Sequence, residues 1–302
     1  MSVPALFTGL SAFPLTPLAD DAVDESAFAA LVARLAAAGV DSITALGSTG
    51  SYAYLDAAER ALAARIAVDA AGGVPVFVGV GALRTSQVVA NVAAAEEAGA
   101  AGVLLAPVSY QPLTDDDVFG LFAAVTARTG LPVIVYDNPG TTRFSFSVEL
   151  YGRIAELPGI ASIKIPGVPA DPQQAREHLA AIRAAVPAHV GIGVSGDARA
   201  ADGLAVGCDA WYSVIGGLFP EPALRLLRAG QAGQHDVAAA ESDRLAPLWD
   251  LFAEFGSVRV IAAAAEQLGL ARRSCLPLPL QGLDDGARNR LAKVLADLDL
   301  DG

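Results

Sequence analysis

The stretch Pro158-Gly159-Ile160-Ala161-Ser162-Ile163-Lys164-Ile165-Pro166-Gly167 holds a short β-branched run between two Pro-Gly breakers. That is the pattern of a buried strand. One residue in it is out of place. The chain carries 20 basic residues, of which only Lys164 and Lys293 are lysine. Lys293 falls in a polar C-terminal segment, whereas Lys164 falls inside the apolar run. An ammonium taken out of water is costly, and a lysine so placed responds with a lowered pKa. The resulting neutral amine is a nucleophile toward carbonyl carbon, a chemistry closed to arginine. The ordinary alternatives are an ion-paired core lysine or one that snorkels from the strand end. In a chain that otherwise relies on arginine, the retained lysine favours the reactive reading.

Working outward, short apolar runs alternate with Ala-rich amphipathic segments. The strand candidates are Leu6–Phe13, Ser42–Leu46, Val74–Val80, Gly102–Ala106, Pro132–Tyr136, Ile160–Lys164, Val190–Val194 and Ala210–Val214. The helices between them carry legible signals. Phe28, Leu31, Val32 and Leu35 repeat at helical spacing and Gly39 ends the run. Asp56 with Glu59, and Thr114 with Asp117, read as capping boxes, and Asp171-Pro172 as a cap followed by proline at the first helical position. Eight βα units in series predict an α/β protein, a (β/α)8 TIM barrel over residues 1–230. A C-terminal extension of three helices is expected over residues 231–302: Asp236–Phe255, Val258–Leu268 and Asp284–Leu298. A doubly wound sheet is the competitor, but Gly79-Val80-Gly81 lacks the third glycine of a dinucleotide fingerprint.

Composition narrows the partners. At 302 residues and 53% hydrophobic, the chain can bury a large core. A net charge of −13 argues against nucleic acid or an anionic membrane surface. Two cysteines, Cys208 and Cys275, make no disulfide framework, and no Cys/His spacing suggests a metal site. No secretory leader or membrane-spanning run is evident, so a cytoplasmic setting is expected.

In such a barrel the chemistry sits at the C-terminal ends of the strands. The second strand ends in Gly47-Ser48-Thr49-Gly50-Ser51, whose amides and hydroxyls suit a carboxylate, although such a run is also an ordinary turn. The fifth ends in Tyr136-Asp137-Asn138-Pro139, which puts a phenol at the mouth, either as a packing residue or as a proton carrier. The sixth ends in Lys164. An amine, a phenol and a carboxylate cradle together equip a site for Schiff-base chemistry on a 2-oxo acid.

These motifs, from Leu6 to about Leu298, resemble the dihydrodipicolinate synthase / N-acetylneuraminate lyase family of class I aldolases. Gly47 to Gly50 matches the family's G-[ST]-T-G-E, Tyr136 to Pro139 its Y-N-x-P, and Ile163-Lys164 its Schiff-base strand. Ser195-Gly196-Asp197 and Ser213-Val214 match further segments. The resemblance implies a pyruvate-type donor on Lys164, proton transfer by Tyr136, an aldehyde partner, and a homotetramer or homodimer. No cofactor or metal is implied. The implied catalytic set is Lys164, Tyr136, Thr49 and Tyr110. The implied binding set is Gly47, Ser48, Thr49, Arg143, Gly196 and Val214.

This chain departs from the family pattern on the acceptor side. Ser51 replaces a glutamate, and Ser109 aligns with the relay tyrosine, with Tyr110 one position on. Thr141 replaces the arginine that anchors the second substrate, Arg143 standing two residues later. Gly217 replaces a frequent asparagine. The expectation is therefore an aldolase preferring a neutral hydroxyaldehyde. Authentic dihydrodipicolinate synthase with Arg143 recruited, a 2-oxo-3-deoxy sugar acid dehydratase and a non-catalytic 2-oxo-acid-binding barrel are the alternatives.

Overall fold

Alternation within the strands explains how the chain closes on itself. The computed structural model describes residues 2–301. Eight parallel strands form a closed barrel in sequence order: β1 (Gly9–Ala12), β2 (Ser42–Ala45), β3 (Val76–Gly79), β4 (Gly102–Leu105), β5 (Val133–Tyr136), β6 (Ile160–Ile165), β7 (Gly191–Val194) and β8 (Ala210–Ser213), which pairs back with β1. In β6, Ile163 and Ile165 face the helices, while Ser162 and Lys164 face the interior. In β5, Val133 and Val135 face outward, and Ile134 and Tyr136 inward.

The interior is filled, not hollow. Phe7, Phe13, Phe77, Leu104, Ile134 and Tyr212 pack within it. Its polar groups are paired: Ser11 with Thr44, and Ser162 with Tyr212, both at 2.7 Å. Gly193 is needed there, because a Cβ would lie 2.3 Å from the Tyr212 ring. The outer core between strands and helices is built from Val, Leu, Ile and Ala. The capping signals read from the sequence are in place at Asp56, Thr114 and Asp171, and Asp24 also caps the first helix.

Two expectations are corrected and one element is added. The first strand is shorter than Leu6–Phe13, since Ala5–Phe7 forms a 3-10 turn before it. A small antiparallel hairpin, Leu18–Ala19 with Ala22–Val23, follows β1. The C-terminal extension contains four helices, not three: His235–Arg244, Ala246–Phe255, Ser257–Gln267 and Asp285–Asp297. The segment Asp236–Phe255 breaks because Pro247 has no N–H for the Asp243 carbonyl and its ring crowds that carbonyl. Among the described residues, no helix is long and apolar enough to cross a membrane.

Candidate active site

Strand register brings the chemistry together. Tyr136, at the end of β5, and Lys164, near the end of β6, are direct register partners, and Lys164 is paired in turn with Gly193 of β7. Both side chains therefore point into the same end of the barrel. Lys164 is only 5% exposed. Its Nζ lies 4.0 Å from the centre of the Tyr136 ring and 5.3 Å from that of Phe13. Among the described residues, no carboxylate lies within ion-pair distance of it. Burial pushes the Lys164 pKa below the usual lysine range, and Tyr136 and the fields of Asp197 and Asp137 pull it back only in part.

The phenol is held in a small network. Ser48 Oγ lies 3.0 Å from the Tyr136 hydroxyl, and Asn138 Nδ2 donates to that hydroxyl at 2.7 Å. With Asn138 occupying an acceptor position, the phenolic proton is free to go to Ser48 or to a ligand. Asn138 was not among the site residues read from the sequence. Its signal was the position two residues beyond Tyr136, before a proline that opens the short helix Pro139–Thr142. Phe13, which covers one side of the amine, had no signal beyond its place at the end of β1.

The loop after β2 is tightly wound. Leu46 and Ser51, which bracket it, have φ of 58° and 54°, in the left-handed region that non-glycine residues seldom occupy. Strain of this kind is held in place by surrounding structure and concentrates at functional loops. Gly47 lets Phe13 approach, since a Cβ would sit 2.5 Å from its ring. Ser48 is half-buried and Thr49 buried.

The remaining expected residues separate. Val214 donates its N–H to Asp197 Oδ1 at 3.2 Å, which Trp211 Nε1 also reaches at 3.0 Å; Ile215 N–H bonds Oδ2 at 2.7 Å. Burial pushes the Asp197 carboxyl up, against these donors. Val214 is thus committed to a structural tie. Gly196, with φ of 75°, is exposed on the rim beside Gly167. Tyr110 is 90% exposed and has no place in the lysine site of its own chain. Ser109 is also turned away, its hydroxyl donating to Gln111 O at 2.6 Å. Arg143 is exposed, with φ of 56°, and does not line the cavity at the barrel mouth, whereas Thr141 does. Gly217 is set by packing: a Cβ there would lie 1.9 Å from Phe13 O. No cluster of three or more metal-ligating side chains occurs among the described residues.

The family model of the dihydrodipicolinate synthetase family matches residues 6–298. The chain belongs to that family. Its members are lyases of the class I aldolase type. The 4-hydroxy-tetrahydrodipicolinate synthase of Methylococcus capsulatus is 32% identical over 259 residues, covering 85% of this chain and 86% of that one. The enzyme of the same name from Halorhodospira halophila is 30% identical over 307 residues, covering 99% of this chain and all of that one. A dihydrodipicolinate synthase structure from Agrobacterium tumefaciens superimposes with a TM-score of 0.93 at 47% identity, covering 97% of this chain and 98% of that one.

Proposed function

We propose that the protein makes or breaks a C–C bond through a Schiff base between Lys164 and pyruvate or a related 2-oxo acid. The observation that carries this reading is a buried lysine with no carboxylate partner, seated against the Tyr136 ring in a family of class I aldolases.

In the synthetic direction the Lys164 amine attacks the ketone carbon, and loss of water leaves a protonated imine. The imine draws electrons from the adjacent methyl group, which gives up a proton through Tyr136 to form the enamine. The enamine carbon then attacks an aldehyde carbonyl, and the new alkoxide takes a proton through Tyr136. Water hydrolyses the imine, releasing product and restoring the amine. Ser48 and Asn138 hold the phenol in position, and Ser48 and Thr49 receive the donor carboxylate. The exposed Tyr110 and Leu83 support an interface with further copies of this chain in a dimer or tetramer. Two buried cysteines without a bridge suit a reducing, cytoplasmic setting.

Borohydride reduction in the presence of pyruvate tests the donor chemistry. One pyruvate-derived mass is expected on the peptide holding Lys164. Labelling at Lys293, or none with any 2-oxo acid offered, would refute it.

The names of the relatives favour one particular acceptor reading, 4-hydroxy-tetrahydrodipicolinate synthase. Pyruvate-dependent turnover of aspartate semialdehyde is its direct test.

A further inference from the structure

The cavity that opens beside Ser48 is about 390 Å3, within the range of small-molecule sites. Ser48, Ser51 and Thr141 line its barrel side, and Ser257 and Arg259 its far side. Ser48 ties the cavity to the Tyr136 hydroxyl at 3.0 Å. No acidic residue lines it. By contrast, the cavity of about 590 Å3 beside the hairpin mixes Asp20, Asp21, Glu266 and Asp284 with Arg273 and Arg288.

Three features of the far side favour an anion. Arg259 is half-buried, and among the described residues no carboxylate lies within ion-pair distance of it. Its Nε donates to Gln281 O at 3.0 Å, which fixes the guanidinium while leaving its terminal nitrogens available. Arg259 stands in the first turn of the helix Ser257–Gln267, which has Gly256 at its N-cap and no side-chain cap. The first bond of that helix is from Val260 N–H to Gly256 O, so the amides before it are unpaired at the positive end of the helix dipole. Independently, the Ser51 hydroxyl is buried against the same cavity without a hydrogen-bond partner. A buried hydroxyl left so is costly unless a ligand completes it.

We propose that Arg259 is a specificity-determining residue that binds an anionic group, carboxylate or phosphate, at the end of the aldehyde partner remote from the reacting carbonyl. The inference rests on the Schiff-base reading of Lys164. It replaces the neutral-acceptor expectation, which rested on departures from the family pattern at the strand ends and loops and did not consider Arg259. The cation at the mouth comes from the C-terminal extension, far away in sequence. In a chain with a net charge of −13, an anionic substrate depends on such local help.

The test uses pyruvate as donor with two matched acceptor pairs, succinic semialdehyde against butanal and glyceraldehyde 3-phosphate against glyceraldehyde. Wild-type protein is expected to favour the anionic member of at least one pair in kcat/KM, and the pair identifies carboxylate or phosphate. Arg259→Gln should lower that anionic-to-neutral ratio about ten- to hundredfold, the range of a lost charge-assisted hydrogen bond, with Arg259→Lys intermediate. Borohydride trapping of pyruvate on Lys164 is measured in parallel. Trapping without anionic preference in wild type, or an Arg259→Gln variant with an unchanged ratio, would overturn this inference and leave the donor reading standing. Absence of trapping in wild type would refute both.

Discussion

Two buried cations in this barrel have opposite surroundings. Arg60, in the helix Ala57–Ala70, is 7% exposed and donates to Gly79 O and Gly81 O, each at 2.9 Å. Its guanidinium also lies 5.4 Å from the centre of the Tyr52 ring. Lys164 is buried to a similar degree, but its amine meets the Tyr136 and Phe13 rings and no carboxylate. Arg60 keeps its charge because carbonyl oxygens and an aromatic face replace water. Lys164 has aromatic faces but no carbonyl acceptor, and burial lowers its pKa, so it yields its proton more readily. Burial alone does not single out a candidate nucleophile; the proposed role of Lys164 rests on burial without a carboxylate or carbonyl partner.

The largest expected effect comes from exchanging one cation type for the other. Lys164→Arg keeps the positive charge and removes the nucleophile, so turnover should fall by at least about 10⁴-fold, in line with the loss of other covalent catalytic groups. Measurable pyruvate-dependent aldol activity in that variant would break the comparison. Next comes the phenol beside the amine. Tyr136→Phe should cost about 10²–10⁴-fold in kcat, with a much smaller change in KM for pyruvate. A loss under tenfold would assign proton transfer to another group, with Tyr110 of a neighbouring copy the first to examine.

Arg60→Met reverses the pattern. It leaves the carbonyls of Gly79 and Gly81 without the donors Arg60 supplies, so unfolding free energy should fall by about 1–3 kcal/mol, read from denaturant titration. Imine trapping at Lys164 should persist. Loss of trapping at full stability would mean that Arg60 serves the site directly.

The smallest effect concerns the cost of burying Lys164. Its folded-state pKa is depressed below the ordinary value of 10.5. Between those two values the unfolded chain binds more protons than the folded one, so stability rises with pH across that window. Below the folded-state pKa the penalty is complete, and above 10.5 it is gone. Lys164→Met should therefore raise Tm by a few degrees at neutral pH, and the gain should shrink as pH approaches 10.5. A gain independent of pH would show that packing, and not charge burial, sets it.

Much of this molecule was readable from its residues because the signals are local. Short apolar runs, capping pairs such as Asp56 with Glu59, and Pro-Gly breakers each act over a few positions, and eight βα units in series leave few architectures open. Lys164, Tyr136 and Ser48 drew attention for the same reason: each is a polar residue at or just beyond an apolar strand, and the structure brings them together. The break at Leu245 was also within reach, since Pro247 forbids a continuous helix there.

Tertiary structure alone decided what lies opposite those strand ends. Tyr110, one residue from the expected position, is turned to solvent because side-chain direction in a loop follows its packing and not its sequence offset. Asn138 gains its importance from a 2.7 Å contact that only the turn after β5 creates. Gly217, where the family pattern often has asparagine, is required by the Phe13 backbone. Arg259 reaches the mouth from a helix 95 residues beyond Lys164 in the sequence. No periodicity connects those two positions. Packing of the C-terminal helices against the barrel places Arg259 on the cavity that Ser48 also lines, and the proposed anion site depends on that packing.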